Sequence, residues 1–181
     1  MTGLNTHDFP NVGALLAFHA ECLDDNPYAF FELTCCGRRG WRAAVATKTC
    51  NTDSEGGPPL LARGVAPDIE RASQLALQSV ADKPQWLNDF LAGMRNDPCC
   101  FPGLGLMIDR YGELVSLSAE KRGYLEIVYS RVTDWVGWLC TDDLDVNPNR
   151  RIIAHSGGRD FNATAWNTAQ HPSMVGGVAH A

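Results

Sequence analysis

Phe30-Phe31-Glu32-Leu33 is answered 94 positions later by Tyr124-Leu125-Glu126-Ile127, and in each stretch a Trp follows at the same distance, Glu32 to Trp41 and Glu126 to Trp135. Leu60-Leu61-Ala62-Arg63 is matched by Ile152-Ile153-Ala154-His155, and Asp68-Ile69 by Asp160-Phe161, now at an offset of 92 that a two-residue loop difference explains. A repeat of this length constrains the fold more than composition does, because each half must then be a supersecondary unit and both must fold alike.

The first unit reads as α, β, β, β, α. Val12, Leu15, Leu16, His19, Cys22 and Leu23 fall at helical spacing within residues 9–25, with Asn11 or Asp8 placed to cap the start. After Asn26-Pro27, two runs rich in aromatic and β-branched residues flank Gly37-Arg38-Arg39-Gly40, which predicts a β-hairpin with a Gly-bounded turn. A Gly- and Pro-rich segment leads to a short strand at 60–65. Pro67-Asp68 then opens a helix in which Ile69, Ala72, Leu75 or Ala76, and Val80 share a face.

In the second unit the leading helix is expected over 84–94, followed by Asn96-Asp97-Pro98 as the first is by Asp25-Asn26-Pro27. Leu125, Val128, Tyr129, Val132, Trp135, Val136 and Leu139 would also suit one long helix over 119–140, capped by Ser118. A hairpin is the better reading, because the stretch is dense in Val, Ile, Tyr, Thr and Trp, holds Gly123 and Gly137, and aligns with the first unit. Residues 99–118 have no counterpart and are expected to be an inserted β-hairpin turning at Asp109-Arg110-Tyr111-Gly112. The expected fold class is α+β: two tandem αβββα modules with antiparallel three-stranded sheets, residues 1–82 and 83–170, the second carrying the inserted β-hairpin, with a flexible tail at 171–181.

Hydrophobic residues make up 45% and charged residues 20% of the 181, far from the composition of disordered chains. The net charge of −6 divides into −4 over residues 1–90 (7 basic, 11 acidic) and −2 over 91–181 (8 basic, 10 acidic), so neither half is a basic body for general phosphate binding. No apolar run nears the ~18 residues of a membrane span, and the start lacks a basic-then-apolar leader, so a cytoplasmic location without membrane contact is expected. The seven cysteines are odd in number and include the adjacent pairs Cys35-Cys36 and Cys99-Cys100, a pattern of reduced, packing thiols rather than a disulfide framework.

The αβββα order of residues 9–82 and, with the insertion set aside, of 84–170 resembles the double-stranded-RNA-binding domain in topology. That resemblance implies recognition of A-form RNA by shape, through a first-helix face, the loop between the first two strands, and lysines opening the last helix. Arg38 and Arg39 stand where the loop contact would be. The last helix departs from the pattern, opening with Pro67-Asp68-Ile69-Glu70-Arg71 in one unit and Arg159-Asp160-Phe161-Asn162 in the other. Carboxylates there repel phosphate but suit the positive end of a helix.

Several residues carry potential chemistry, each with a plainer structural account. His19, Cys22, Cys35 and Cys36 are zinc-compatible types without a recognised spacing, and core packing explains them. Cys140, Asp142 and His155 would be a thiol–imidazole set, although no motif surrounds the thiol. His155-Ser156-Gly157-Gly158-Arg159 is similar to a phosphate-cradling loop but lacks the Walker lysine, and a strand-to-helix turn serves as well. Asp142, Asp143, Asp145 and Asn147 lack the Gly and terminal Glu of a calcium loop. Neither a metal nor a cofactor is expected. Trp41 and Trp135 occupy equivalent strand positions and are expected to anchor equivalent core or sheet-face sites. Trp138 and Trp166, together with Tyr124 and Tyr129, are the interface candidates, since aromatics concentrate in binding hot spots.

The resulting expectation is a non-catalytic binding protein, an adaptor or inhibitor of the kind encoded by phages or mobile elements, acting on a protein partner such as a host nucleic-acid-handling defence complex. The alternative is a duplex RNA or DNA binder using Arg38, Arg39, Lys121, Arg122, Arg150 and Arg151, with affinity that falls steeply with salt. An enzyme based on Cys140 and His155 ranks third.

Overall fold

The structure, a computed structural model, describes residues 8–37, 39–47, 60–94, 100–117, 123–141 and 152–172. Of the expected flexible tail, 173–181 lies outside the described residues. Strands β1 (Phe30–Cys36), β2 (Gly40–Ala46), β3 (Leu60–Ala66), β4 (Tyr124–Ser130), β5 (Asp134–Cys140) and β6 (Ile152–Gly158) form one antiparallel sheet in the order β3-β2-β1-β4-β5-β6. Residues 124–140 are therefore two strands and a turn, not a long helix. In place of two separate three-stranded sheets, β1 and β4 pair with each other. The physical reason is that each of them would otherwise present a row of unpaired backbone groups along an apolar edge.

The registers repeat with the sequence. Phe30 pairs with Ala46 and Tyr124 with Cys140, so that adding 94 to the β1–β2 register gives the β4–β5 register. A register shift falls between Val45 and Ala46 against β3, and another between Leu139 and Cys140 against β6. Gly40 and Asp134, which open β2 and β5, both have positive φ, 74° and 53°. Where β1 meets β4, Leu33 lies directly opposite Ile127, and Asp8 bridges Cys100 just ahead of two helices.

Those helices are α1 (Pro10–Asp25) and α4 (Pro102–Leu117), which with α2 (Ile69–Ser79) and α5 (Phe161–Ala169) cover one face of the sheet. The seven-residue α3 (Gln85–Leu91) lies between α2 and α4. Strand alternation sends Phe31, Leu33, Cys35, Trp41, Ala43, Val45, Leu125, Ile127, Trp135 and Leu139 into the core beneath them. Leu33 and Ile127 are fully buried, each stabilising by about 1.5–3 kcal/mol. Gly64 lets α2 lie directly on β3, since a Cβ there would stand 2.0 Å from the Ala72 carbonyl oxygen.

The expected inserted hairpin at 99–118 is instead helix α4. Leu104, Met107, Ile108, Tyr111 and Leu114 recur at helical spacing and turn inward, and Gly112 sits on an open surface where no turn forms. The leading helix of the second half is accordingly α4 rather than 84–94. It stands to β4 and α5 as α1 stands to β1 and α2. Asn11 N donates to Glu70 Oε2 at 3.0 Å, and Gly103 N donates to Asn162 Oδ1 at 2.8 Å, each bond tying the start of the leading helix to the start of the last. Neither Asn11 nor Asp8 caps α1. Phe9 holds the cap position without a side-chain bond, and Glu70 supplies the acceptor, also taking Asn11 Nδ2 at 2.8 Å and Val12 N at 3.2 Å. Asp68 and Asp160 cap their own helices through Arg71 N (2.7 Å) and Ala163 N (2.6 Å).

Candidate functional site: the helix-free sheet face

With α1, α2, α4 and α5 on one side, the alternate residues of all six strands face away from the core. No helix among the described residues covers them. The pairings place Val65, Arg42, Thr34, Glu126, Trp138 and His155 in one row across the sheet, and Arg63, Ala44, Glu32, Val128, Val136 and Gly157 in the next. The two rows contain three kinds of chemistry: guanidinium groups over β2 and β3, carboxylates over β1 and β4, and an aromatic pair over β5 and β6.

Arg42 Nη2 meets Glu32 Oε2 at 3.3 Å, and Thr34 Oγ1 donates to Glu32 Oε1 at 3.4 Å. Burial holds the Glu32 carboxyl above the ordinary value, against the opposing pull of Arg42, Thr34 and Arg63. Arg42 Nε is buried without an acceptor, so this pair is held by geometry rather than fully satisfied. On the far side Trp138 stacks on His155, with ring centroids 5.3 Å apart and planes inclined by 21°. His155 is exposed and Trp138 half-buried, leaving a flat aromatic surface at the outer strand. The positions in the first half that correspond by offset are Ala44 and Arg63, so the aromatic platform belongs to the second half alone.

Of the interface candidates, Trp138 lies on this face and Trp166 is 45% exposed on α5, in the opposite layer. Tyr124 is only 8% exposed. Tyr129 turns to the helix side, against His19 (5.0 Å) and Trp135 (5.2 Å). Of the basic candidates, Arg39 is described and lies in the β1–β2 turn, whereas Arg38, Lys121, Arg122, Arg150 and Arg151 lie outside the described residues. That turn abuts the start of β4, where Gly37 N donates to Gly123 O at 3.3 Å.

Among the described residues, the members of the other candidate sets do not converge. His19 is buried within the ring cluster of Phe31, Tyr129 and Trp135, and its Nε2 lies 3.3 Å from Ala29 O; burial holds its pKa below the usual value. Tyr111 makes the corresponding contact in α4, donating to Gly123 O at 3.3 Å, so the role of His19 is to tether helix to strand. Burial pushes the thiols of Cys22 and Cys35 up to about 11, Cys22 also through Glu21 and Asp25, so both stay protonated and are poor nucleophiles or ligands. No three His, Cys, Asp or Glu side chains among the described residues converge to hold a metal. Cys140 is fully buried, His155 is engaged with Trp138, and Asp142 lies outside the described residues, as do Asp143, Asp145 and Asn147. Residues 155–158 belong to strand β6 and form no cradling loop. An open groove of about 660 Å³ between the end of α1 and residues 81–88 is lined by Phe18, Glu21, Cys22, Asp25, Asp82 and Lys83. No helix among the described residues is long and apolar enough to cross a membrane.

Sequence reasoning singled out Glu32, Glu126, Arg63, Trp138 and His155 separately, as repeat markers or isolated candidates, and overlooked Arg42. Their convergence depends on the β1–β4 and β5–β6 registers, which no local signal gives. Compared with protein-family models, curated proteins and solved structures, the chain matches none.

Proposed function

We propose that the chain is a non-catalytic binding protein, an adaptor or inhibitor, made of two diverged αβββα copies joined through β1 and β4, and that a protein partner docks on the helix-free sheet face. The duplication is supported by the shared registers, the paired register shifts and the matching helix ties. The reading of each copy as similar to a double-stranded-RNA-binding domain concerns element order and carries no function. The single observation behind protein binding is the Trp138–His155 stack, present where the first copy has Ala44 and Arg63. A half-exposed Trp beside charged groups of both signs has the composition of a protein hot spot, and carboxylates at the centre of the face are unfavourable to nucleic-acid phosphates.

The test is affinity capture from the native host with the wild-type chain and Trp138→Ala. One protein recovered stoichiometrically with the wild type and lost with the variant supports the reading. No stoichiometric protein, or equal capture by both, removes it.

A second reading, duplex RNA or DNA binding, has one observation in its favour: the Arg39 turn abuts Gly123, which directly follows Lys121-Arg122 in the chain. Retention of duplex RNA at low salt, lost steeply as salt rises, would favour it over a protein partner.

A further inference from the structure

Contacts between the two halves map onto one another when the first-half residue is moved forward by the repeat offset and the second-half residue is moved back by it. The β1–β4 pairs Phe31–Tyr129 and Glu32–Val128 become Leu125–Cys35 and Glu126–Thr34, which are themselves paired, and Leu33 becomes Ile127, its own partner. Equivalent strands that pair antiparallel are related by a two-fold axis, which here stands on the sheet between Leu33 and Ile127. The helix layer obeys the same axis. Asp8, ahead of α1, bridges Cys100, ahead of α4, and at the offset of 92 these two are also equivalent positions. His19 of α1 crosses to Tyr129 of β4, with ring centroids 5.0 Å apart; the mapped contact, from Tyr111 of α4 to Cys35 of β1, is a hydrogen bond between the phenol and the thiol. Two self-paired points and a doubled side-chain contact thus share one axis.

We propose that the β1–β4 seam is an isologous interface of the kind that joins two identical subunits, so that the chain is a dimer fused into one polypeptide and each half is the other's binding partner. An isologous contact is self-complementary and closes on itself. That closure leaves the connection between α2 and α4 unnecessary for holding the halves together. What holds them is apolar: Phe31 and Leu33 of one half and Leu125 and Ile127 of the other are fully buried, and Phe31 packs across the seam on Trp135 at 5.3 Å and Phe161 at 6.1 Å. Fusion also lets the two ends of the sheet face differ. In a dimer of identical units every residue appears at both ends, whereas this chain pairs Ala44 with Arg63 at one end and Trp138 with His155 at the other. Such a fusion presupposes two copies of one unit and is independent of what docks on that face.

The test uses the full chain with a protease site placed between Met94 and Cys100 and cut after folding. The cut protein is expected to sediment as one species near 19.8 kDa, with both fragments in equal amounts and the circular dichroism spectrum of the uncut chain. Leu33→Ala, on the axis, should weaken the association of the fragments more than about tenfold, with the uncut variant as the folding control. In cut Asp8→Cys, oxidation should link the fragments through Cys100, since bridged backbone partners lie within disulfide reach. Fragments that separate on cutting, or an association indifferent to Leu33→Ala, overturn the proposal and leave the duplication standing. Fragments that stay together with no link in Asp8→Cys overturn the two-fold relation itself, because the second point of the axis is then absent.

Discussion

Replacing Glu70 by Ala removes an acceptor that serves a helix other than its own. Three donors lose their partner: Asn11 N, Asn11 Nδ2 and Val12 N, at 3.0, 2.8 and 3.2 Å. Hydrogen bonds to charged groups contribute about 1.5–3 kcal/mol net, and loss of a helix cap costs about 0.5–2 kcal/mol. These describe overlapping effects, and the site is half-buried, so water recovers part of the loss. The expected destabilisation is about 2–4 kcal/mol. Asn162 occupies the matching place in the second half with one neutral bond, from Gly103 N at 2.8 Å, and Asn162→Ala is expected to cost about 1 kcal/mol. For a chain of this length 1 kcal/mol moves Tm by roughly 2–4 °C, which gives a fall of roughly 4–16 °C for Glu70→Ala and roughly 2–4 °C for Asn162→Ala. Urea unfolding followed by circular dichroism measures both, provided the m-value is unchanged. A Glu70→Ala variant within about 0.5 kcal/mol of wild type, or no less stable than Asn162→Ala, would refute the reasoning.

Three further outcomes follow from the packing. Gly64→Ala puts a Cβ 2.0 Å from Ala72 O, and the forced separation of α2 from β3 should cost more than about 3 kcal/mol, read as insoluble or early-melting protein. Gly112→Ala should instead stabilise by about 0.5–1 kcal/mol, because the position is helical with nothing within 4 Å; destabilisation there would indicate a turn at 109–112. His19 has a folded pKa below its unfolded value of about 6.5, so its contribution is fully present above that pH and is lost as pH falls from there toward the folded value. His19→Phe has no such loss, and its stability relative to wild type should improve as the medium is acidified below that point; parallel pH curves would contradict the burial of a neutral imidazole.

The hairpins and the last helices were legible because their signals are local. Gly37 to Gly40 bound a turn, Asp68 and Asp160 precede apolar periodicity, and the repeated Glu and Trp positions fix the second hairpin from the first. Helix α4 was misread for a physical reason: Leu104-Gly105-Leu106-Met107-Ile108 is an apolar run short enough for a strand, and Asp109 to Gly112 has turn composition. The correcting signal lay in the repeat, since Phe9-Pro10 and Phe101-Pro102 stand 92 apart, the offset that relates Asp68 to Asp160. The joining of β1 to β4 was not legible, because pairing between strands so distant in sequence is set by which edges remain open after collapse. The composition of the helix-free face depends on that joint. Arg42 meets Glu32 within the β1–β2 hairpin, but Glu126 joins them only once β1 and β4 are adjacent, and Trp138 meets His155 only through the β5–β6 register, which sequence does not give across the intervening loop.

Cross-strand nuclear Overhauser contacts between β1 and β4 offer the most direct measurement on the shared sheet that creates the proposed binding face. Contacts of Leu33 with Ile127 and of Phe31 with Tyr129, together with slow amide exchange in both strands, are the expected result. Fast-exchanging amides in β1 and β4, with contacts confined to each half, would contradict it.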